Sequence, residues 1–150
     1  MRLTKVIAGI SDARNLLSQW LTSIKNGQQI RCAIDQLLTP VDIQYVIKAI
    51  IFVIETRRSG VLHVSGSEAV TYYELFQKLL QYVPEQERRR TFVQECTLRE
   101  IQSHELLPQN CTLSNAKFIA LSGITPRPLQ EVCAELCGNF YGFHEFADRE

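Results

Sequence analysis

Residues 30–50 read IRCAIDQLLTPVDIQYVIKAI. Apolar residues recur at Ile30, Cys32 and Ile34, the period of a half-buried strand. An Asp35–Gln36 pair follows, then a turn at Pro40, then a long apolar helix. Strand, turn and helix in that order form the repeating unit of an α/β layer. The acidic-amide pair stands at the carboxyl end of the strand, where open α/β sheets place their ligand crevice. Two readings of the pair stay open. It carries acceptors and donors that suit sugar hydroxyls, and it equally suits the orphan amides of the helix starting near Asp42.

Upstream, LTKVIAG reads as a short buried strand ending at Gly9. SDARNLLSQWLTSIKNG reads as a helix, with Ser11 or Asp12 as its cap and Gly27 as its stop. Its apolar stripe is Leu16, Leu17, Trp20, Leu21 and Ile24. Downstream, Ile43, Val46, Ile47, Ile50, Ile51 and Ile54 predict one wide apolar helix face, with Arg57 and Arg58 at the negative end of the dipole and Gly60 ending the helix. VLHVS is a second buried strand, and its His63 is read as a core histidine.

TYYELFQKLLQYV opens on a capping box, Thr71 with Glu74, and ends at Pro84. PEQERRR is a charged loop, read as solvated although Arg88–Arg90 have the charge to hold a phosphate. TFVQECT is a strand, and Thr97 with Glu100 repeats the capping-box spacing. LSNAKFIALSG is a helix stopped by Gly123, and Pro128 opens a last helix. The tail, about 139–150, is expected to fray. Together these make one α/β domain over residues 1–150. It has about five or six helices and three to four short, mostly parallel strands.

Sixteen basic and sixteen acidic residues cancel, so no global field draws nucleic acid or anionic membrane. No apolar run approaches the ~18 residues that span a bilayer. The five cysteines are an odd number, and none forms a CxxC pair. They read as small buried hydrophobes in a reducing cytoplasm rather than as a metal or redox set. Cys133 and Cys137 are one helical turn apart, and no spacing supplies them with further ligands.

Three stretches together resemble the C-terminal part of extended short-chain dehydrogenases/reductases, most nearly the dTDP-4-dehydrorhamnose reductase-like branch. IDQLLTPVDI is similar to that branch's DQ-x-x-(S/T)-P-T segment, on Asp35, Gln36, Thr39 and Pro40. GVLHVSGSEAVTYYEL is similar to its next strand and helix start, on Gly60, His63, Ser65, Gly66, Tyr73 and Glu74. PQNCTLSNAKFIALSGITPRPLQE matches on Pro108, Asn110, Leu113, Ser114, Lys117, Gly123 and Ile124. RLTKVIAG resembles the strand after the family's catalytic segment.

The resemblance implies the substrate-binding portion of an extended SDR fold without its Gly-rich nucleotide-binding half. The glycines at 9, 27, 60, 66, 123, 138 and 142 form no dinucleotide fingerprint. None of the five tyrosines has a lysine four residues on, as the family's acid/base pair requires. Substrate-binding candidates are therefore Asp35, Gln36, Asn110 and Arg127, with no catalytic, cofactor or metal residue. Leu107 stands where relatives carry a substrate-binding arginine, and Leu37 or Leu38 where many carry a phosphate clamp. Arg127, held between Pro126 and Pro128, is a candidate to replace a lost phosphate ligand. The expected function is nucleotide-sugar binding without catalysis by the chain alone, NAD(P) entering only with the missing half. Two alternatives remain: a non-catalytic interaction or regulatory module, and one half of a split oxidoreductase. The expected partner is a second copy or a nucleotide-binding chain, docking at strands 3–8 and 61–65.

Overall fold

The structure is a computed structural model, and it describes residues 1–9, 15–101 and 108–143. Two short strands, β1 (Arg2–Leu3) and β2 (Val6–Ile7), lead to helix α1 (Leu16–Lys25). Then come β3 (Ile30–Ala33), β4 (Leu37–Leu38), β5 (Val41–Asp42) and α2 (Ile43–Thr56). Strands β6 (His63–Val64) and β7 (Val70–Thr71) precede α3 (Tyr72–Leu80) and the single turn α4 (Glu85–Arg88). The chain closes with β8 (Val93–Cys96), α5 (Leu98–Ile101), β9 (Asn110–Cys111), α6 (Ala116–Ser122) and α7 (Leu129–Tyr141).

Strand pairing is mostly parallel: β1 with β6, β2 with β5, β3 with β8 and β4 with β9. The exception is the antiparallel pair of β4 and β7. Seven helices stand among the described residues, against five or six expected. The difference comes from one-turn elements such as α4, where Arg89 pairs with Glu85 four residues back. The arginines 88–90 are exposed on that turn. Four of the two-residue strands, β4, β5, β7 and β9, were not legible, because a bridge that short carries no periodicity.

Two apolar cores form. In the larger, Leu17, Trp20, Leu21 and Ile24 of α1 meet Leu75, Phe76 and Leu79 of α3 and Leu129, Val132, Cys133, Leu136 and Cys137 of α7. Trp20 packs edge-on against Phe76 at 5.3 Å between ring centres. The smaller joins Val41, Tyr45, Val46 and Ala49 to Leu62 and Val64 of the β6 segment and to Phe118 of α6. Phe140 and Tyr141 are helical and pack on the larger core.

Helix starts follow the local chemistry. Thr71 and Glu74 form the reciprocal box, and Thr97 and Glu100 repeat it at α5. The Ser11 and Asp12 cap lies outside the described residues. The cap that the structure shows for α1 is Asn15, whose side chain accepts from the Leu17 amide. Strand β3 turns Ile30 and Cys32 inward as expected, whereas Ile34 is exposed because the strand ends at Ala33.

Helix α2 departs most. Its inward face is Tyr45, Val46 and Ala49, with Phe52 and Val53 half-buried, while Ile47, Ile50, Ile51 and Ile54 face solvent. Its end is also set differently. Arg57, not a glycine, takes the left-handed cap position, with φ +48°. A Cβ in that region is unfavourable by about 1 kcal/mol. Arg57→Gly should therefore raise unfolding stability by about 0.5–1 kcal/mol, read from a urea titration.

Candidate functional site

Strand β3 runs parallel to β8, and its carboxyl end, at Ala33, opens into a cavity of about 520 Å³. That volume lies in the range of small-molecule sites. Leu16 and Trp20 of α1, Leu38 of β4, Tyr72 of α3 and Leu98 and Ile101 of α5 supply apolar and aromatic walls. Leu3, Thr4 and Lys5 close one side, while Arg31, Gln36 and Cys111 add polar atoms. Lys5 and Arg31 are the cationic side chains of this lining, and both are exposed to solvent. Arg31 also reaches the Glu100 carbonyl at 3.2 Å, which aims its guanidinium along α5. An apolar, aromatic-walled cleft with two cations at its edge suits a flat ring that carries anionic groups.

The Asp35–Gln36 pair serves neither α2 nor the same element. The amide of Leu98 donates to Asp35 Oδ1 at 2.6 Å, so Asp35 caps α5, more than sixty residues away. Gln36 is buried and donates from Nε2 to the Pro108 carbonyl at 2.9 Å. Nothing in the local spacing announces either partner, because both arrive by tertiary packing. Gln36 lines the cavity; Asp35 does not. Gln36→Ala removes the bond to the Pro108 carbonyl and the longer one to Cys111 Sγ at 3.5 Å, and should lower stability by about 1 kcal/mol. A melting curve unchanged by Gln36→Ala would contradict this.

Asn110 is exposed, and its Oδ1 accepts from the Thr112 amide at 3.0 Å and hydroxyl at 2.7 Å. This local turn follows from β9, where Asn110 pairs with Leu37; Asn110 is not itself part of the cavity lining, though its neighbour Cys111 is. Asn115, which drew no attention in the sequence, does bridge elements: its Nδ2 donates to the Ser65 carbonyl at 3.0 Å. Ser65 in turn donates to the Leu113 carbonyl at 2.7 Å, so β6 is tied to the loop before α6.

Arg127 is already engaged. Its Nε and Nη2 donate to Asp42 Oδ2 at 3.0 and 2.8 Å, and Nη1 donates to Glu135 at 2.5 Å. Burial lowers its pKa, but the bonds to Glu135 and Asp42 outweigh that and hold it above the ordinary value. Asp42 is 7 % exposed and, though it stands at the N-cap of α2, makes no capping bond. The arginine has claimed its carboxylate. Arg127 therefore sits between two carboxylates and apart from the large cavity, a poor setting for an incoming phosphate. Asn110 stands opposite Leu37 in the β4–β9 pair and so lies near Gln36, whereas Arg127 joins neither.

The thiols behave as packing atoms. Burial pushes Cys32, Cys133 and Cys137 up to about 12. Cys137 donates to the Leu79 carbonyl at 3.6 Å inside the larger core. Cys111, half-buried, is the cysteine on the cavity wall. Leu107 lies outside the described residues. Leu38 forms part of the cavity wall, and Leu37 is exposed.

Solved structures share this fold. The dTDP-4-dehydrorhamnose reductase of Clostridium acetobutylicum superposes with a TM-score of 0.72 at 18 % identity, over 91 % of this chain and 48 % of that one. The Bacillus anthracis enzyme, solved with NADP, gives 0.74 at 17 % identity, over 90 % and 46 %. The Yersinia enterocolitica enzyme gives 0.73 at 16 %, over 91 % and 47 %. The chain thus spans about half the length of each. At these identities the likeness is one of fold. No curated protein sequence matches the chain. A profile of the RmlD substrate binding domain matches residues 1–141, nearly the whole sequence. On that match the chain belongs to the RmlD substrate binding domain family, and its fold is that of the matching part of these solved structures.

Proposed function

We propose that this chain is the nucleotide-sugar-binding portion of an RmlD-like protein, and that it does not catalyse hydride transfer by itself. The cavity at the carboxyl end of β3 carries the reading. Its walls offer Trp20 and Tyr72 to a base or sugar ring, and Lys5 and Arg31 offer charge to a diphosphate. Gln36 supplies the polar atoms at its floor, and Asp35 acts through α5 by holding Leu98 and Ile101 in the wall. Asn110 and Arg127 are assigned to structure, not to ligand. The absence of a Gly-rich turn and of a Tyr-x-x-x-Lys pair supports binding without chemistry.

Calorimetric titration with a dTDP-sugar tests the reading. Saturable heat is expected, and Lys5→Ala with Arg31→Ala should weaken binding by roughly 10- to 100-fold through lost charge-assisted bonds. NADPH titrated in parallel should give no saturable fluorescence change. A silent dTDP-sugar titration, or an affinity indifferent to both cations, would sink the proposal.

A further inference from the structure

Strand β8 has an open side. Among the described residues it pairs with β3 alone. The amide of Ile30 donates to the Phe92 carbonyl at 2.9 Å, and that of Ile34 to the Cys96 carbonyl at 3.0 Å. These bonds fix the phase of the ladder. The even-numbered residues of β8 turn their backbone groups to β3, and Val93 and Glu95 turn theirs away. No group of the described residues bonds the Val93 or Glu95 amide. Phe92, at the start of this edge, is 68 % exposed, and Gln94 and Glu95 are exposed beside it. Such an edge is a template for a further strand. Its two ends carry opposite charge. Arginines 88, 89 and 90 are exposed at the amino end. Glu85 pairs with Arg89 and Glu87 accepts from Tyr141, which leaves Arg88 and Arg90 without an ion pair among the described residues. Glu95, toward the carboxyl end, has no ion pair there either.

We infer that β8 pairs with β8 of a second copy of this chain, antiparallel about a two-fold axis, and so joins the two β3–β8 pairs into one sheet. Centred on Val93, the pairing exchanges two backbone bonds between the two Val93 residues. It also lets each Glu95 amide donate to the Thr91 carbonyl of the other copy. Phe92 then lies across from Gln94, and the arginines 88–90 of each copy come alongside Glu95 of the other. The charge pattern selects this occupant. A parallel arrangement would set the two arginine turns side by side, like charge against like. A foreign strand of one charge sign would be repelled at one end of the edge. The strand that answers both ends is this one, reversed. The sixteen basic and sixteen acidic residues cancel, so no net repulsion opposes the association. This face is separate from the strands at 3–8 and 61–65, and it does not depend on what the cavity binds.

The test is sedimentation of the chain over a concentration series. A dimer is expected, weakened by added salt, and hydrogen exchange at the Val93 and Glu95 amides should slow as the dimer fills. Val93→Pro removes an outward amide and leaves the bonds to β3 in place, a substitution that an edge strand tolerates. It should weaken the dimer by roughly 10-fold or more with the melting curve unchanged. Glu95→Arg should weaken it by roughly 10-fold as well, and adding Arg88→Glu with Arg90→Glu should restore it. The charge variants decide the question if the proline variant does not fold. A chain that stays monomeric at millimolar concentration overturns the inference. So does a dimer indifferent to these substitutions, or one that protects residues 47–54 and leaves 93 and 95 exchanging freely.

Discussion

Gly66→Ala should lower the unfolding free energy by about 3 kcal/mol or leave the chain unable to fold. A Cβ at that position would lie 1.8 Å from the Pro40 carbonyl oxygen and 2.8 Å from its carbon. Both are backbone atoms, so no rotamer change relieves the overlap. Gly66 also donates from its amide to the Thr39 carbonyl at 3.2 Å. The two backbones touch because β6 and the Thr39–Pro40 turn converge on the start of β5. Thr4 draws the same turn inward by donating its hydroxyl to the Thr39 carbonyl. Gly138→Ala is the control: its Cβ would meet a single atom at 3.4 Å, in a helix where alanine is favoured. Urea titrations of the two variants should separate widely. A Gly66→Ala protein within about 0.5 kcal/mol of the parent would show that the contact is not the one described.

Arg127→Ala should cost about 2 kcal/mol, because it leaves Asp42 buried and unpaired. The figure is set below that of a fully buried pair, since the arginine is 36 % exposed. Two carboxylates, Asp42 and Glu135, lose their common partner, and α7 loses its tie to the start of α2. Asp42→Asn in the Arg127→Ala background should restore most of the stability by removing the stranded charge. The pair of variants also separates the two roles proposed for Arg127. A structural arginine changes stability and leaves dTDP-sugar affinity alone. An affinity lost with stability intact would return Arg127 to the ligand site.

Much of the fold was legible because its signals are local. The Thr71–Glu74 and Thr97–Glu100 boxes need only a three-residue spacing, and the structure closes both. The alternation at Ile30 and Cys32 needs only a two-residue period, and both are buried. The order of motifs around Asp35, His63 and Asn110 sufficed to place the chain in its family, since family likeness is carried by the sequence itself.

The candidate site was less legible, for the opposite reason. Asp35 meets Leu98, Gln36 meets Pro108, and Arg127 meets Asp42, each across sixty or more residues. Hydrogen-bond capacity can be read from a residue type, but not which distant backbone group will claim it. That choice turned Asp35 from a cap of the next helix into the cap of α5, and Arg127 from a phosphate ligand into an ion-pair centre. The same distinction governs α2. Its sequence determined that the helix is apolar over most of its circumference. Only packing decided that Tyr45, Val46 and Ala49 turn to the core while four isoleucines stay in water, because a helix with two apolar sides has no internal preference for which one to bury.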